Sequence, residues 1–344
     1  MVNCVEGKTV LVTGGTGSIG AEIVTHVLQF KPKVVRILEH HEDSLFTFSR
    51  ALDGKSKVRY LLGDVRDAER VKRGMENVDI VFHAAALKHV PLCEYNPFEA
   101  ISTNIIGTQN IIDAALYHNV EKAVLISSDK AVNPINTMGA TKLLAEKLFT
   151  NASHYRGMRK TIFSCTRFGN VINSNGSVIK TFQEQIAQGG PVTITHKEMT
   201  RFLIPTQEAI KLVVNTLNLA EGGEVFILKK MVSVNIYDLA RVMINELAPK
   251  YGLRPDGIPV KFVGTRAGER LHETLMTYEE SQSVIEHEDM LILLPQTEMP
   301  GELPPQTKWR NARGIDPGEF SSKNSPLNEG EIREYLNRHA PSLF

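Results

Sequence analysis

A glycine-rich turn placed directly after the first apolar run constrains the fold of this chain more than any other feature. Residues 9–13 read TVLVT and lead into TGGTGSIG at residues 13–20, where a helical pattern begins. Glycines permit the tight turn and the close approach of backbone to a pyrophosphate, and the helix N-terminus supplies N–H groups. The turn predicts a dinucleotide site, and a purely structural turn is the alternative. The predicted contacts are Gly14, Thr16, Gly17, Ser18, Ile19 and Gly20.

Apolar runs and helical patterns alternate through the first 170 residues. Predicted strands cover residues 34–38, 58–62, 80–84, 123–127 and 161–167, and predicted helices cover residues 19–30, 104–118 and 138–150. Short strands separated by helices form parallel sheets, because right-handed crossovers place helices on both faces. We therefore expect an α/β fold, a Rossmann-type doubly wound parallel sheet, with ligands beyond the carboxyl ends of its strands.

The alternation loosens after residue 170. Strand patterns at 191–195 and 224–228 and helical patterns at 206–219 and 236–247 predict a smaller C-terminal substrate-binding region. Residues 295–326 are rich in Pro, Gly, Ser and Asn, which predicts an extended tail before a short helix at 329–337. We divide the chain into a dinucleotide-binding domain at 1–170, to which later segments return, a mainly substrate-binding region at 171–294, and a C-terminal tail at 295–344.

The charges of the chain balance, with 39 Lys and Arg against 39 Asp and Glu. No overall field draws such a chain to nucleic acid or to an anionic membrane, so we expect neither as a partner. The three cysteines, Cys4, Cys93 and Cys165, fit neither a disulfide framework nor a zinc module, and no metal is expected. Because the sequence has no signal pattern and no run of 18 apolar residues, we expect a cytoplasmic protein.

Side chains at the ends of the predicted strands suggest further cofactor contacts. Glu39 and His40 follow the second strand, where an acid often contacts the adenosine ribose of NAD. A carboxylate repels a 2′-phosphate, which favours NAD and leaves NADP as the alternative. Asp64 and Val65 are placed to hold the adenine edge, and the small side chains of Ala84, Ala85 and Ala86 let backbone lie close to the cofactor. For each of them, an ordinary strand end or a solvated side chain is the competing interpretation.

The glycine turn, residues 84–86, the run SSDK at 127–130 and Lys142 together resemble the extended short-chain dehydrogenase/reductase superfamily. In that superfamily a Tyr-x-x-x-Lys pair follows a Ser or Thr, and the spacing places both side chains on one helix face. The resemblance implies that Ser127 and Lys142 contact the cofactor. The position four residues before Lys142 is Met138, whose thioether cannot transfer a proton. Acid–base chemistry is therefore either lost or performed elsewhere.

Asp129 and Lys130 are the candidates for acid–base chemistry in place of the missing tyrosine. They follow the strand predicted at 123–127, in the crevice where nicotinamide should lie. Burial and mutual attraction can tune such a pair, so that a lysine of lowered pKa acts as a general base and an aspartate of raised pKa as a general acid. A surface Asp-Lys pair in a loop is the alternative.

Six further runs narrow the resemblance. They are ALKHVP (86–91), SDKAVNP (128–134), MGATK (138–142), RFGNV (167–171), MTRF (199–202) and GTRAGE (264–269). Over residues 5–280 they are similar to the UDP-N-acetylglucosamine 4,6-dehydratases of surface-polysaccharide and flagellin-glycan synthesis. Some members keep the tyrosine and others carry Met. Many Met-bearing members have an N-terminal membrane region, and we expect this chain to match the short soluble members.

The resemblance implies a role for each matching residue. Lys130 takes the C5 proton of the sugar, Asp129 assists loss of the C6 hydroxyl, Lys142 holds the nicotinamide ribose, and Lys88 lies near the sugar. Arginine can grip a diphosphate with two hydrogen bonds, although Arg201 or Arg266 taken singly would usually form a surface salt bridge. The implied contacts to the UDP portion are Asn170, Val171, Arg201, Arg266 and Glu269.

The implied enzyme is a hydro-lyase with tightly bound NAD or NADP. It converts UDP-N-acetylglucosamine to a UDP-2-acetamido-2,6-dideoxy-hexos-4-ulose by C4 oxidation, loss of water across C5 and C6, and hydride return to C6. Retention or inversion at C5 stays open, and O4 is deprotonated by Lys142, Asp129 or a water. The alternatives are a UDP-sugar 4-epimerase or dehydrogenase and a non-catalytic NAD-binding scaffold. The resemblance also implies a homo-oligomer, a dimer or a hexamer, with the helices at 104–118 and 138–150 as candidate interfaces.

Overall fold

A computed structural model of the chain describes residues 4–52, 57–172, 174, 176–295, 309 and 312–343. In the N-terminal half the strands are β1 (Thr9–Thr13), β2 (Val34–Glu39), β3 (Val58–Leu62), β4 (Ile80–His83), β5 (Lys122–Ile126) and β6 (Ile162–Arg167). The helices are α1 (Ser18–Val27), α2 (Glu42–Ala51), α3 (Ala68–Met75), α4 (Val90–Tyr95), α5 (Pro97–Ile101), α6 (Gly107–Tyr117) and α7 (Thr137–Asn151). The predicted strands and helices are confirmed to within a few residues. Helices α2 to α5 were not predicted, and they are at most ten residues long and bury few side chains, so each offers a short apolar pattern.

The C-terminal half adds shorter strands. These are β7 (Asn170–Val171), β8 (Val192–Ile194), β9 (Thr200–Ile204), β10 (Val225–Leu228), β11 (Val232–Asn235), β12 (Val260–Phe262), β13 (Thr274–Met276), β14 (Val284–His287), β15 (Met290–Leu293) and β16 (Phe320–Ser321). The helices are α8 (Val178–Ala187), α9 (Thr206–Leu219), α10 (Ile236–Leu247), α11 (Tyr278–Ser281) and α12 (Glu329–His339). Helices α9 and α10 have the predicted bounds.

The central sheet has the spatial order β14-β15-β10-β6-β5-β4-β1-β2-β3. Neighbours from β3 to β10 pair in parallel, and β15 and β14 add two antiparallel strands at the far edge. The strand order reverses between β1 and β4, and a crevice forms beyond the carboxyl ends of strands at such a switch point. The α/β fold with a doubly wound sheet is confirmed. Three of its nine strands, β10, β14 and β15, come from the C-terminal half of the chain.

A second apolar core lies outside this sheet. It is built from α8, α10 and α12 together with the three-stranded sheet β11-β9-β7. From the C-terminal helix, Ile332 and Leu336 are fully buried in it, beside Leu239 and Met243 of α10. Burying a side chain of this size stabilises the fold by about 1.5–3 kcal/mol. The helix predicted at 329–337 is therefore present, two residues longer, and is an integral part of this core.

Among the described residues, no helix combines the length and the apolarity needed to cross a bilayer.

Candidate active site

The glycine turn lies at the switch point, against the end of β4. Gly14 adopts φ +64°, and a Cβ there would stand 2.8 Å from the Cα of Ala85. A Cβ on Gly20 would stand 2.1 Å from the carbonyl oxygen of Gly14, whose oxygen also accepts a hydrogen bond from the Gly17 N–H at 3.0 Å. Gly17 is the N-cap of α1, which Ser18 and Ile19 open. Because side chains are excluded here and a helix N-terminus faces the turn, the backbone fits the phosphates of a dinucleotide.

Glu39 is fixed beside this turn at the end of β2. The side chain is only 6% exposed, and the Thr16 hydroxyl donates to its Oε2 at 2.7 Å. The backbone N–H of His40 donates to Oε1 at 3.0 Å, and the His40 Nδ1 lies 3.0 Å from the same oxygen. The structure thus brings Thr16, Glu39 and His40 together, and Glu39 is not a solvated surface carboxylate.

Asp64 and Val65 follow β3, but their polar groups are engaged within the protein. The Arg66 guanidinium donates to Asp64 Oδ2 from Nε at 2.8 Å and from Nη2 at 2.6 Å. Partial burial raises the pKa of Asp64, but the hydrogen bonds from Arg66 outweigh it, so the pKa is lowered. The Val65 carbonyl accepts from Asn110 Nδ2 at 2.9 Å. Any adenine contact here would have to coexist with these bonds.

The segment of Ala84, Ala85 and Ala86 after β4 is held by an asparagine that the sequence analysis missed. Asn104 accepts from the Leu87 N–H at 2.8 Å, donates to the Leu87 carbonyl at 3.0 Å and donates to the Thr141 hydroxyl at 2.9 Å. It lies in the π-helical segment Ser102–Ile106, a distortion common near functional sites. A buried amide within an apolar helical pattern was the signal available in the sequence.

Ser127, at the end of β5, donates its hydroxyl hydrogen to Glu146 Oε2 at 2.7 Å, within the protein. Glu146 also pairs with Arg167. Arg167 in turn donates to Glu280, from Nη1 to Oε2 at 2.9 Å and from Nη2 to Oε1 at 3.0 Å. Burial lowers the pKa of Arg167, but the two carboxylates outweigh it and raise the pKa. This buried network ties β5, β6, α7 and α11 together, and sequence reasoning did not identify it.

Lys142 and Met138 lie one turn apart on α7. The Lys142 Nζ donates to the Ile126 carbonyl at 2.6 Å, and burial lowers the pKa of this amine to about 8. Met138 is buried in a small apolar cluster with Cys93 and Ala100. At the position of the superfamily tyrosine this chain therefore has a buried apolar side chain. Neither Met138 nor Lys142 lines the cavity described next.

A cavity of about 220 Å³ opens beyond the short 3₁₀ turn Asp129–Ala131 that follows β5. Val171 is excluded from the lining, because it is buried in the main core. Asn136, Arg270 and Glu273 also line the cavity and were not predicted as contacts. The predicted residues in its lining are Lys88, Lys130, Asn170, Arg201, Arg266 and Glu269.

Four charged side chains meet at the inner wall of the cavity. Asp129 is 1% exposed, and its Oδ1 accepts from the Ser128 hydroxyl at 2.9 Å and from the Lys130 ammonium at 3.1 Å. Glu273 Oε1 lies 3.5 Å from Lys130 Nζ and 3.5 Å from Arg201 Nε. Burial lowers the pKa of Lys130, but Asp129 and Glu273 outweigh it, so the pKa is raised. The prediction of a lowered lysine pKa is wrong, because Asp129 and a second carboxylate that is remote in sequence, Glu273, both lie against the amine.

Several cations line the cavity. Arg201 donates to the Thr200 carbonyl at 2.7 Å and to the Arg270 carbonyl at 3.0 Å, and its Nη2 lies 3.7 Å from Glu269 Oε1. The Arg266 guanidinium lies on the exposed loop that also carries Glu269. Burial and the nearby Lys180 lower the pKa of Lys88. Cations concentrated on one side of a neutral protein provide a place for an anionic ligand.

In the part of the chain that the structure describes, no group of three His, Cys, Asp or Glu side chains is arranged to hold a metal ion. The three cysteines, Cys4, Cys93 and Cys165, carry free thiols.

Comparison with known proteins agrees with this fold. The profile of a family described as polysaccharide biosynthesis protein matches residues 10–295. An uncharacterized membrane protein of Methanocaldococcus jannaschii is 57% identical over 293 residues, which cover 85% of this chain and 87% of that protein. A Campylobacter jejuni protein named UDP-N-acetylglucosamine 4,6-dehydratase (inverting) is 38% identical over 340 residues, or 96% of this chain and 98% of the relative. The X-ray structure of Pen from Bacillus thuringiensis superposes with a TM-score of 0.91 at 41% identity and covers 99% of both chains.

The fold and the charged cavity, together with these relatives, define the class of nucleotide-sugar dehydratases and epimerases. Within that class, the chain belongs to the polysaccharide biosynthesis protein family. The resemblance stated from the sequence motifs is thereby confirmed.

Proposed function

We propose that the chain is an NAD(P)-dependent hydro-lyase that converts UDP-N-acetylglucosamine to the 4-keto-6-deoxy sugar nucleotide. The observation that carries the proposal is the pairing of Asp129 and Lys130 at a cavity that Lys88, Arg201 and Arg266 also line. An acid and a base in contact are what an elimination of water requires. The name of the Campylobacter jejuni relative supports this reaction and this substrate, and the word "inverting" in it supports inversion at C5.

The residues at the switch point fit a dinucleotide. Gly14, Gly17 and Gly20 would hold its pyrophosphate against the N-terminus of α1, and Glu39 would accept hydrogen bonds from the adenosine ribose. The fixed carboxylate of Glu39 favours NAD over NADP. When bound, the nicotinamide supplies reversible acceptance of hydride, which makes C4 of the sugar a ketone and later lets C6 be reduced. Tight retention is expected, since one cofactor must keep its orientation through the whole cycle.

The Asp129–Lys130 pair can perform both proton transfers of the elimination, which are removal of the C5 proton and protonation of the C6 hydroxyl. In the structure Lys130 is held as an ammonium, so it must first release a proton before it acts as a base. Transfer across the 3.1 Å contact breaks an N–H bond of Lys130 and forms an O–H bond on Asp129, with no change in net charge. The neutral amine then takes the acidified C5 proton. The Asp129 acid gives its proton to the C6 hydroxyl, which leaves as water, and the pair returns to its starting charges.

Lys142 is the proposed group that receives the O4 proton, directly or through a water. Its pKa of about 8 leaves a part of the amine neutral near pH 7. The tyrosine phenol that usually takes part in this step is absent, because Met138 stands at its position. The same lysine would hold the nicotinamide ribose.

A second copy of this chain is proposed as a partner. Large apolar side chains are exposed on α4 and α5, which pack against α7: Leu92 is 62% exposed, Tyr95 86% and Phe98 72%. Leu144 of α7 is itself exposed. Exposed apolar groups concentrated on contacting helices are typical of association surfaces.

Product analysis tests the function. Purified protein incubated with UDP-N-acetylglucosamine should give a product lighter by the mass of one water, without accumulation of reduced cofactor. NMR of the product formed in D₂O reports the C5 configuration and deuterium entry together. Lys130→Ala should bind the sugar nucleotide without dehydrating it, and full activity would refute the assigned role. A product of unchanged mass would identify a 4-epimerase, and stoichiometric release of reduced cofactor would identify a dehydrogenase. Binding of NAD without turnover would leave the scaffold alternative.

A further inference from the structure

We propose that Glu273 is a positioning residue that holds the amine of Lys130 between two carboxylates and so sets where the transferable proton rests. The inference builds on the proposed function, because it assigns a role within the same site. Glu273 lies 143 positions after Lys130 in the sequence, at the entrance to β13, and no motif pointed to it.

The contacts of Glu273 converge on Lys130. The Oε1 of Glu273 lies 3.5 Å from Lys130 Nζ. The Oδ1 of Asp129 lies 3.1 Å from the same nitrogen. The Glu273 side chain is 3–4% exposed, and no hydrogen-bond partner of its buried Oε2 was found within the described ranges. The buried Oδ2 of Asp129 likewise has no hydrogen-bond partner within the described ranges. Two buried carboxylates thus flank a single amine, that of Lys130, whose side chain is 26% exposed.

The backbone and side chain of Glu273 are fixed from two sides. The Glu273 N–H donates to the Ser322 hydroxyl oxygen at 2.9 Å, and the Ser322 N–H donates to the Glu273 carbonyl at 2.8 Å. Ser322 is fully buried and is bound in turn by the Thr200 hydroxyl at 2.8 Å. Arg201 Nε lies 3.5 Å from Glu273 Oε1, which is the same oxygen that faces Lys130. The C-terminal segment around β16 therefore supports the wall of the cavity.

This arrangement has a direct chemical consequence. With Asp129 alone, the only anion near Lys130 would be the group that must also take its proton. Glu273 supplies a second, fixed negative charge, which retains the proton on the amine until substrate enters and keeps the amine directed at the cavity. The competing interpretation is that Glu273 serves only to neutralise Arg201 in a buried structural pair. The charged groups that face Lys130 are Asp129, Glu273 and Arg201.

The discriminating experiment measures the protonation of Lys130 without any substrate. The full-length protein is labelled with a small amine-reactive anhydride over a pH series, and peptide mass spectrometry gives the midpoint for Lys130 and for exposed Lys261 as an internal reference. In the wild type, the Lys130 midpoint should lie above that of Lys261. In Glu273→Gln it should fall by one pH unit or more, which is about a tenfold gain in labelling at fixed pH. The matched control Glu269→Gln removes a charge from the same cavity and should leave the Lys130 midpoint in place.

Two outcomes would overturn the proposal. The first is a Lys130 midpoint unchanged in a folded Glu273→Gln protein. The second is a wild-type midpoint at or below that of Lys261, which applies even if the variant does not fold. If wild-type protein fails to dehydrate UDP-N-acetylglucosamine, the labelling result still decides the role of Glu273, so the two failures are separable. Where dehydration is observed, Glu273→Gln should move the alkaline limb of kcat to lower pH while KM stays within about twofold.

Discussion

The glycine turn permits a prediction whose size follows from the structure. In Gly20→Ala the new Cβ would lie 2.1 Å from the Gly14 carbonyl oxygen and 2.8 Å from the Gly15 Cα, inside the 3.0 Å that real Cβ contacts respect. Both neighbours are backbone, so the turn itself must move by about 1 Å to relieve the overlap. We expect a cost of about 1–3 kcal/mol from overpacking and about 1 kcal/mol from the strained Gly17–Gly14 hydrogen bond.

The assay is thermal unfolding with and without NAD⁺ or NADP⁺. A ligand at 100 times its Kd stabilises the native state by about 2.7 kcal/mol. At about 2.1 cal/mol/K per residue over the 344 residues, that corresponds to a rise in Tm of about 4 °C for the wild type. Gly20→Ala should melt lower and show no ligand-dependent rise, because the displaced turn no longer cradles the pyrophosphate. The preferred cofactor is the one that gives the larger rise in wild-type protein.

Gly257→Ala is the matched control, since a Cβ at Gly257 meets nothing within 4 Å and its φ is ordinary. It should melt and respond to cofactor like the wild type. A Gly20→Ala protein that keeps the full rise in Tm with dinucleotide would refute the assignment of this turn to the pyrophosphate.

Three further predictions concern the surroundings of the site. Burial lowers the pKa of His83 to about 3, so the unfolded chain binds more protons between pH 6.5 and 3. Stability should be complete above pH 6.5 and fall by about 3 kcal/mol by pH 4.5 in urea titrations, a slope that His83→Gln should flatten. Arg167→Met leaves Glu146 and Glu280 unpaired and should cost about 3–5 kcal/mol in urea unfolding, with a loss below about 1 kcal/mol contradicting a buried network. Truncation after Pro295 removes β16 and α12 and should yield protein that binds a hydrophobic dye and aggregates. Light scattering that shows a stable, folded truncation would contradict an integral role for α12.

Much of the fold could be predicted because its signals are local. The β1 pattern, the glycine turn and the start of α1 lie within 20 residues, and each specifies its own backbone conformation. Asp129 and Lys130 could be placed at the carboxyl end of β5 by the same local argument. The six cavity residues that were named from motifs do line one cavity, although their roles remain predictions.

Other parts of the site could not be predicted locally. The sequence places Lys130 after a strand and beside Asp129, but Glu273, which also raises the pKa of Lys130, is brought to it only by packing. Val171 was expected at the substrate, and the fold buries it in the core instead. Ser127 was expected at the cofactor, and its hydroxyl is bound to Glu146.

The sequence by itself determined the alternation of strands and helices and the position of the turn, because apolar periodicity and glycine conformations act over a few residues. The tertiary structure alone decided which charges surround Lys130 and how far each is shielded from water. Electrostatic energies depend on distance and burial in space, and those are set by contacts between residues far apart in the chain.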